Sequence, residues 1–296
     1  MSTPNNNKDI RLIPSDAVIN PLRSNNLALT PGGYRHPSLI HRLEKGQEIN
    51  WDGNEARKLD LRTDTDIELP LSPPTLQDSE LVSGWITSSS FTNRIGKPYN
   101  FFSTVWTVPP APTTQSGQTI FLFNGLMDAQ YSYILQPVLQ WGPSAAGGGN
   151  FWSVASWFVE SNGNARYTKP VAVNEGDTLD GRMLLTRQLD GSFSYKCHFH
   201  GIENTELSIN NISELVVATE TLECYEIQQC SDYPNTDFTA MTNINIKVSL
   251  AENASISDGD NIPLSWEVNN LIIDCGQHTI IASNANPDGE VDLWYR

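Results

Sequence analysis

The chain has 296 residues, 39% of them hydrophobic and 18% charged, with a mean hydropathy of -0.35; this is a globular composition and excludes disorder throughout. Lys and Arg number 18 against 34 Asp and Glu, a net charge of -16, which repels phosphate backbones and argues against nucleic acid as a partner. No apolar run approaches the roughly 20 residues of a membrane helix, so no membrane contact is expected. The start, MSTPNNNKDI, lacks the apolar core of a classical signal peptide; the chain is expected to be cytoplasmic, exported by a non-classical route, or trimmed.

Residues 1–80 differ from the rest. They hold 9 of the 18 Lys and Arg but also 12 Asp and Glu. The stretch NPLRSNNLALTPGGYRHPSLIH is broken by Pro, Gly and Asn, which excludes long helices. Ser38-Leu-Ile-His and Lys58-Leu-Asp-Leu each read as an edge strand. ELPLSPPTLQDSE (68–80) reads as a proline-rich linker. These features predict an N-terminal extension over 1–80 and a β domain over 81–296; the plainer alternative is an arm that wraps the domain.

Beyond it the strand signals are dense. FFSTVWTV (101–108), QTIFLFNGL (118–126), YILQPVLQWG (133–142), FWSVASWFVE (151–160) and GRMLLTRQL (181–189) are rich in β-branched and aromatic residues. So are FSYKCHFHG (193–201), SELVVATETLECYEI (213–227), TNINIKVSL (242–250), IPLSWEV (262–268) and HTIIASN (278–284). SNGN, NEGD and LDGS supply turn chemistry between them. Many short strands with almost no helical period predict an all-β sandwich or barrel.

Cys197, Cys224, Cys230 and Cys275 form no CxxC pair, so no zinc site is expected. Cys224 and Cys230 are spaced to close a small loop in an oxidising compartment, or remain free thiols. His198 and His200 share one strand face, but no third ligand is evident and a polar surface pair is the simpler reading. Asp258-Gly-Asp260 reads as a plain turn before a calcium loop. Asn211-Ile-Ser and Asn253-Ala-Ser are glycosylation sequons. No GxSxG, HExxH or phosphate loop is present. No cofactor or metal is expected.

The order of motifs carries more than any one of them. GW (84–85), STVWTVPPAP (103–112), FLFNGL (121–126), ILQPVLQWG (134–142) and VASWFVE (154–160) come first. NEGDTLDG (174–181), DGSFSYKCHFHG (190–201) and VATETLECYE (217–226) follow. This series, over roughly residues 84 to 250, resembles the eqolisins, the glutamic peptidases. The resemblance implies a lectin-like (concanavalin A-like) double-sheet antiparallel sandwich. It also implies an acid endopeptidase in which a Gln and a Glu on one concave sheet face activate water against a polypeptide substrate. Gln140, in the copy of the motif followed by glycine, matches the family Gln; Gln136 is the second choice. The family has Ala directly followed by Glu, and a second acid four residues on. Here Ala218-Thr219-Glu220 makes Glu220 the candidate base, with Glu223 as the alternative. Strand alternation puts those two acids on opposite faces unless a bulge intervenes. Trp106, Asn124, Trp141 and Trp157 are candidate substrate-binding residues, although core packing is the default for half the tryptophans. A basic pro-segment is a family habit, so Arg35, Arg42 and Lys45 are candidates to mask the site. The alternative is a non-catalytic lectin-like module on the same fold, binding glycan or protein.

Overall fold

The computed structural model describes residues 27–51, 56–63, 65–68, 84–249 and 259–296. The linker from residue 69 on, the expected boundary near 80, the Asn253 sequon and Asp258 lie outside them. Among the described residues there is no α-helix, only two single 3-10 turns at Pro37–Leu39 and Cys230–Asp232. The β-rich runs therefore had to solve their backbone hydrogen bonding between strands, and they do so in two large sheets.

One sheet has the order Glu267–Asn270, Trp85–Thr92, Leu215–Tyr225, Thr119–Asp128, Tyr133–Ser144, Gly147–Glu160, Ala165–Thr168 and Ile40–Leu43, with Val171–Ala172 also on Gly147–Glu160. The other runs His278–Ser283, Gly289–Trp294, Phe238–Val248, Tyr99–Thr107, Thr178–Leu189, Ser192–Phe199, Leu207–Ile212, Gln47–Trp51, Ala56–Asp60 and Thr65–Glu68, with Asp260–Asn261 on Phe238–Val248. Pairing is antiparallel except where the N-terminal strands join: Ile40–Leu43 runs parallel to Ala165–Thr168, and Gln47–Trp51 parallel to Leu207–Ile212. Three residues, 44–46, thus carry the N-terminal segment from one sheet to the other.

Period-two alternation assigns each side chain to a face. Facing inward from the first sheet are Ile120, Leu122, Leu126, Leu135, Leu139, Trp141, Trp152, Val154, Phe158, Ala218 and Leu222. They share one buried cluster with Phe102, Trp106, Leu179, Met183 and Phe199 of the second. The fold is an all-β, two-sheet sandwich. A second, smaller cluster lies on the outer side of the first sheet and joins Phe121, Phe123, Val138, Ala155, Trp157, Val159 and Tyr225 to Leu29 of the N-terminal segment.

The cysteines pair differently from expectation. Cys230 bonds to Cys275, 45 residues away, with Cα atoms 5.5 Å apart, while Cys197 and Cys224 are buried free thiols. The reason is strand alternation: Cys224 points inward from its strand into the core, and Cys230 lies beyond the strand end in the 3-10 turn. The two side chains thus occupy different layers despite their closeness in sequence.

Candidate functional site

The expected site strand, Leu215–Tyr225, pairs with Thr119–Asp128 in unbroken register from Val217 to Tyr225. Its other neighbour, Trp85–Thr92, absorbs an extra residue beside Glu223, so the irregularity falls on the partner strand. Alternation therefore holds, and Glu220 and Glu223 point in opposite directions.

Glu220 faces the space between the sheets, among Ala218, Leu222 and Leu126, and is fully buried. Its Oε1 accepts from the Thr104 hydroxyl of the opposite sheet at 2.6 Å, and Oε2 has no partner. Burial holds its carboxyl well above the usual range, against a smaller opposing effect of the Thr104 bond. Asn124 lies opposite it in register; the Asn124 amide donates to the Gly181 carbonyl at 3.1 Å, and its Oδ1 is buried without a partner. Two unpartnered oxygens opposite one another favour a proton on the acid. Trp106 and Trp141 also pack between the sheets. Glu220, Asn124, Trp106 and Trp141 are thus interior residues, away from the face that carries the two glutamines.

Glu223 lies on the outer face with Thr219, Thr221 and Tyr225. It is in register with Phe121, which is in register with Gln140. Two strand spacings, about 9.6 Å of backbone, separate the carboxylate strand from the Gln140 strand. Gln136 and Trp157 share that face as a directly paired couple, four residues further along. Thr219, directly after Ala218, is opposite Gly125, and the same register continues to Gln136. The Thr219 hydroxyl donates to the Ser89 carbonyl at 2.7 Å.

The two glutamines are held differently. The Gln140 amide donates to the carbonyls of Gly142 (2.7 Å) and Gly147 (2.9 Å), while its carbonyl accepts from Ser144 Oγ at 2.8 Å. Both its N–H groups are spent on the 142–147 turn. Glycine at 148 permits this, since a Cβ there would stand 2.4 Å from the Gln140 amide nitrogen. Gln136 is also buried, and its Oε1 has no partner.

The outer face is covered by the chain itself. Ala28–Thr30 and Gly33–Arg35 form a short hairpin around Pro31-Gly32. Pro before a glycine with φ of 84° fits a type II turn. Gly32 N–H donates to Glu223 Oε1 at 2.7 Å, and the same oxygen accepts from the Tyr225 hydroxyl at 2.5 Å. Ala145 N–H donates to the Leu29 carbonyl at 2.7 Å. Tyr34 meets Tyr225 edge-on and donates to Glu226 at 2.9 Å. Arg35 is 5% exposed, with Nε on Thr30 Oγ1 and Nη2 on the Gly32 carbonyl. Burial pushes the Glu223 carboxyl up to about 7, opposed by the Tyr225 and Gly32 bonds and the charge of Arg35. Burial also lowers the Arg35 guanidinium, with Tyr225 and Glu223 acting the other way.

No periodic run marks this cover in the sequence; only Thr30-Pro-Gly-Gly announces a turn, and nothing local says where it docks. Arg42 and Lys45, the other masking candidates, sit elsewhere: Arg42 pairs with Glu44, and Lys45 lines a cavity of about 560 Å³ between residues 43–48 and the 198–206 segment. His198 is in that cavity wall with Nδ1 buried and unpartnered, whereas His200 lies past the strand end. Neither Gln140 nor Glu223 lines it. Among the described residues no group of three or more His, Cys, Asp or Glu is placed to hold a metal.

No family model matches the sequence, and no curated protein matches it. Among solved structures, scytalidoglutamic peptidase with a peptide-based transition-state analogue is similar at 15% identity and a TM-score of 0.43, covering 73% of this chain and 99% of that one. SCP-B, a member of the eqolisin family solved with the tripeptide Ala-Ile-His, is similar at 16% identity and 0.40, with the same coverages. Toad ovary galectin with thio-digalactose is similar at 15% identity and 0.29, over 46% of this chain and 91% of that one. The relationship to all three is distant and concerns the fold alone.

Proposed function

We propose that the outer face of the first sheet is a polypeptide-binding face and that its present occupant is the chain's own hairpin, residues 28–35. The observation that carries this is the docking of Gly32 N–H on Glu223 while Leu29 enters the apolar cluster of Phe121, Phe123, Val138 and Trp157. A carboxylate and a backbone N–H at its two ends hold main-chain groups, and the aromatic floor holds a side chain between them. This is the protein-binding form of the non-catalytic reading. The sugar-binding form has less behind it, because Trp106 and Trp141 are committed to the core.

Hydrolysis at the same face is the second reading, favoured by one observation: the Glu223 carboxyl accepts the N–H of a docked peptide group at 2.7 Å. In an acid endopeptidase of the glutamic type, Glu223 would take a proton from the attacking water and return it to the leaving nitrogen. An amide N–H would stabilise the developing oxyanion. Gln140 would have to leave the Gly142 and Gly147 carbonyls to serve, and Glu220 is on the wrong side of the sheet. Latency through the N-terminal segment belongs to this reading as well.

Both are tested on the full chain carrying Leu29→Asp, which should expel the hairpin. Labelled unfolded polypeptide, followed by fluorescence anisotropy, is expected to bind the variant and to bind wild type at least about tenfold more weakly. Equal failure of both proteins to bind would end the polypeptide-face reading. Pepstatin-insensitive cleavage of denatured protein at acid pH, lost in Leu29→Asp/Glu223→Gln, would raise hydrolysis to first place. No cleavage by the variant leaves binding as the function.

A further inference from the structure

The occupant of the outer face is a tight turn rather than an extended strand, and the contacts are distributed accordingly. Thr30 and Gly33 are paired across Pro31-Gly32, and Thr30 Oγ1 donates to the Gly33 carbonyl at 2.8 Å. The glycine at 32 answers two demands at once. Its φ of 84° belongs to the left-handed region, where a side chain is strained. A Cβ on it would also stand 3.3 Å from Val159 Cγ1 and 3.3 Å from Arg35 Nη2. The turn thus presents a bare N–H, unshielded by a side chain, to a buried carboxyl group. Three residues earlier Leu29, 4% exposed, lies among the outer-face aromatics, and its carbonyl takes the Ala145 N–H.

Resting on the polypeptide-face reading, we infer that this face is specific for a Pro-Gly β-turn preceded by an apolar residue, of the form apolar-x-Pro-Gly with the turn glycine on Glu223. Its ligands in trans are therefore polypeptides that display such a turn, and Glu223, Val159 and Phe123 are the specificity determinants. Glu223 selects the turn N–H, Val159 crowds a side chain at the glycine, and the Phe121, Phe123 and Trp157 cluster selects the apolar residue. An extended segment satisfies the apolar floor but cannot turn a side-chain-free N–H toward the carboxyl at the required place. A turn also arrives with its backbone already ordered, which lowers the entropic cost of docking.

The experiment uses the full chain with Leu29→Asp and the synthetic peptide of residues 27–37, LALTPGGYRHP, with binding read by tryptophan fluorescence. The native peptide is expected to bind. Its Gly32→Ala and Leu29→Asp forms should each bind about tenfold or more weakly, as should the native peptide on Leu29→Asp/Glu223→Leu. Should Leu29→Asp fail to give the near-ultraviolet circular dichroism of wild type, Tyr34→Ala/Arg35→Ala serves as the opened form. A scrambled peptide binding as well as the native one would overturn the turn specificity while leaving the polypeptide face standing. So would equal binding of the Gly32→Ala peptide. Binding of unfolded polypeptide without any binding of the turn peptide overturns the inference alone, and failure of both ligands overturns the two together.

Discussion

The two sides of the first sheet treat the same chemistry in opposite ways. On the inner side, Glu220 is fully buried between the two sheets with Ala218, Leu222 and the Thr104 hydroxyl. On the outer side, Glu223 is equally buried, beneath a hairpin of eight residues held by hydrogen bonds, by Leu29 in the apolar cluster and by Tyr34 on Tyr225. Burial raises both carboxyls. The difference is what must move to expose them: a whole sheet for Glu220, a local opening for Glu223. Equal burial therefore does not mean equal commitment to the core: the outer acid lies beneath a hairpin, the inner one between two sheets.

The largest effect that tests this contrast is the alkaline stability of the inner acid. A carboxyl whose folded value is raised contributes stability that is fully present below its unfolded value. That stability is lost as pH rises through the folded value. Unfolding by denaturant across pH 4 to 9 should show a decline that Glu220→Gln removes in large part; a decline unaltered by that substitution would mean Glu220 is charged in the folded protein. Next comes packing. Leu139→Ala, inner, should cost about 2–5 kcal/mol with or without Leu29→Asp. Val138→Ala, its outer neighbour, should cost under about 0.5 kcal/mol once Leu29→Asp has opened the face. A Val138 cost independent of Leu29 would show that the outer cluster is core after all.

Glu223→Gln is expected to flatten a narrower window, from about 4.5 to about 7, where wild type loses on the order of 3 kcal/mol; the hairpin-opened chain should lose much less across the same window. A smaller loss than that of Leu139→Ala should follow Thr104→Val, which leaves the Glu220 carboxyl without its cross-sheet donor and costs about 1–3 kcal/mol, measured at pH 5. In the opened chain that cost should be unchanged, since Thr104 and the hairpin lie on opposite sides of the sheet.

Much of this was legible in the amino-acid order. The β-branched runs 101–108, 118–126, 133–142, 151–160 and 181–189 all became strands within a few residues of their expected bounds. IPLSWEV is strand only from Glu267, and Trp85–Thr92, with its three serines, carried too weak an apolar pattern to be recognised. Gln136 and Gln140 share a face, and Glu220 and Glu223 do not, as alternation requires. Alternation is blind, however, to which face is covered by the other sheet. Val216, Ala218, Leu222 and Cys224 around Glu220 read equally as an apolar active-site wall and as core, and they are core for the last three.

What the sequence determined by itself, then, is local: strand positions, the facing of each side chain, and the Thr30-Pro-Gly-Gly turn, all set by dihedral preferences and a two-residue period. What only the tertiary structure decided is partnership over distance. It brought Gly32 to Glu223 across 191 residues and Cys230 to Cys275 across 45, and it spent the Gln140 amide on its own turn. Such contacts depend on how sheets stack and where an irregular segment settles, through burial summed over many residues, and no local pattern encodes that sum.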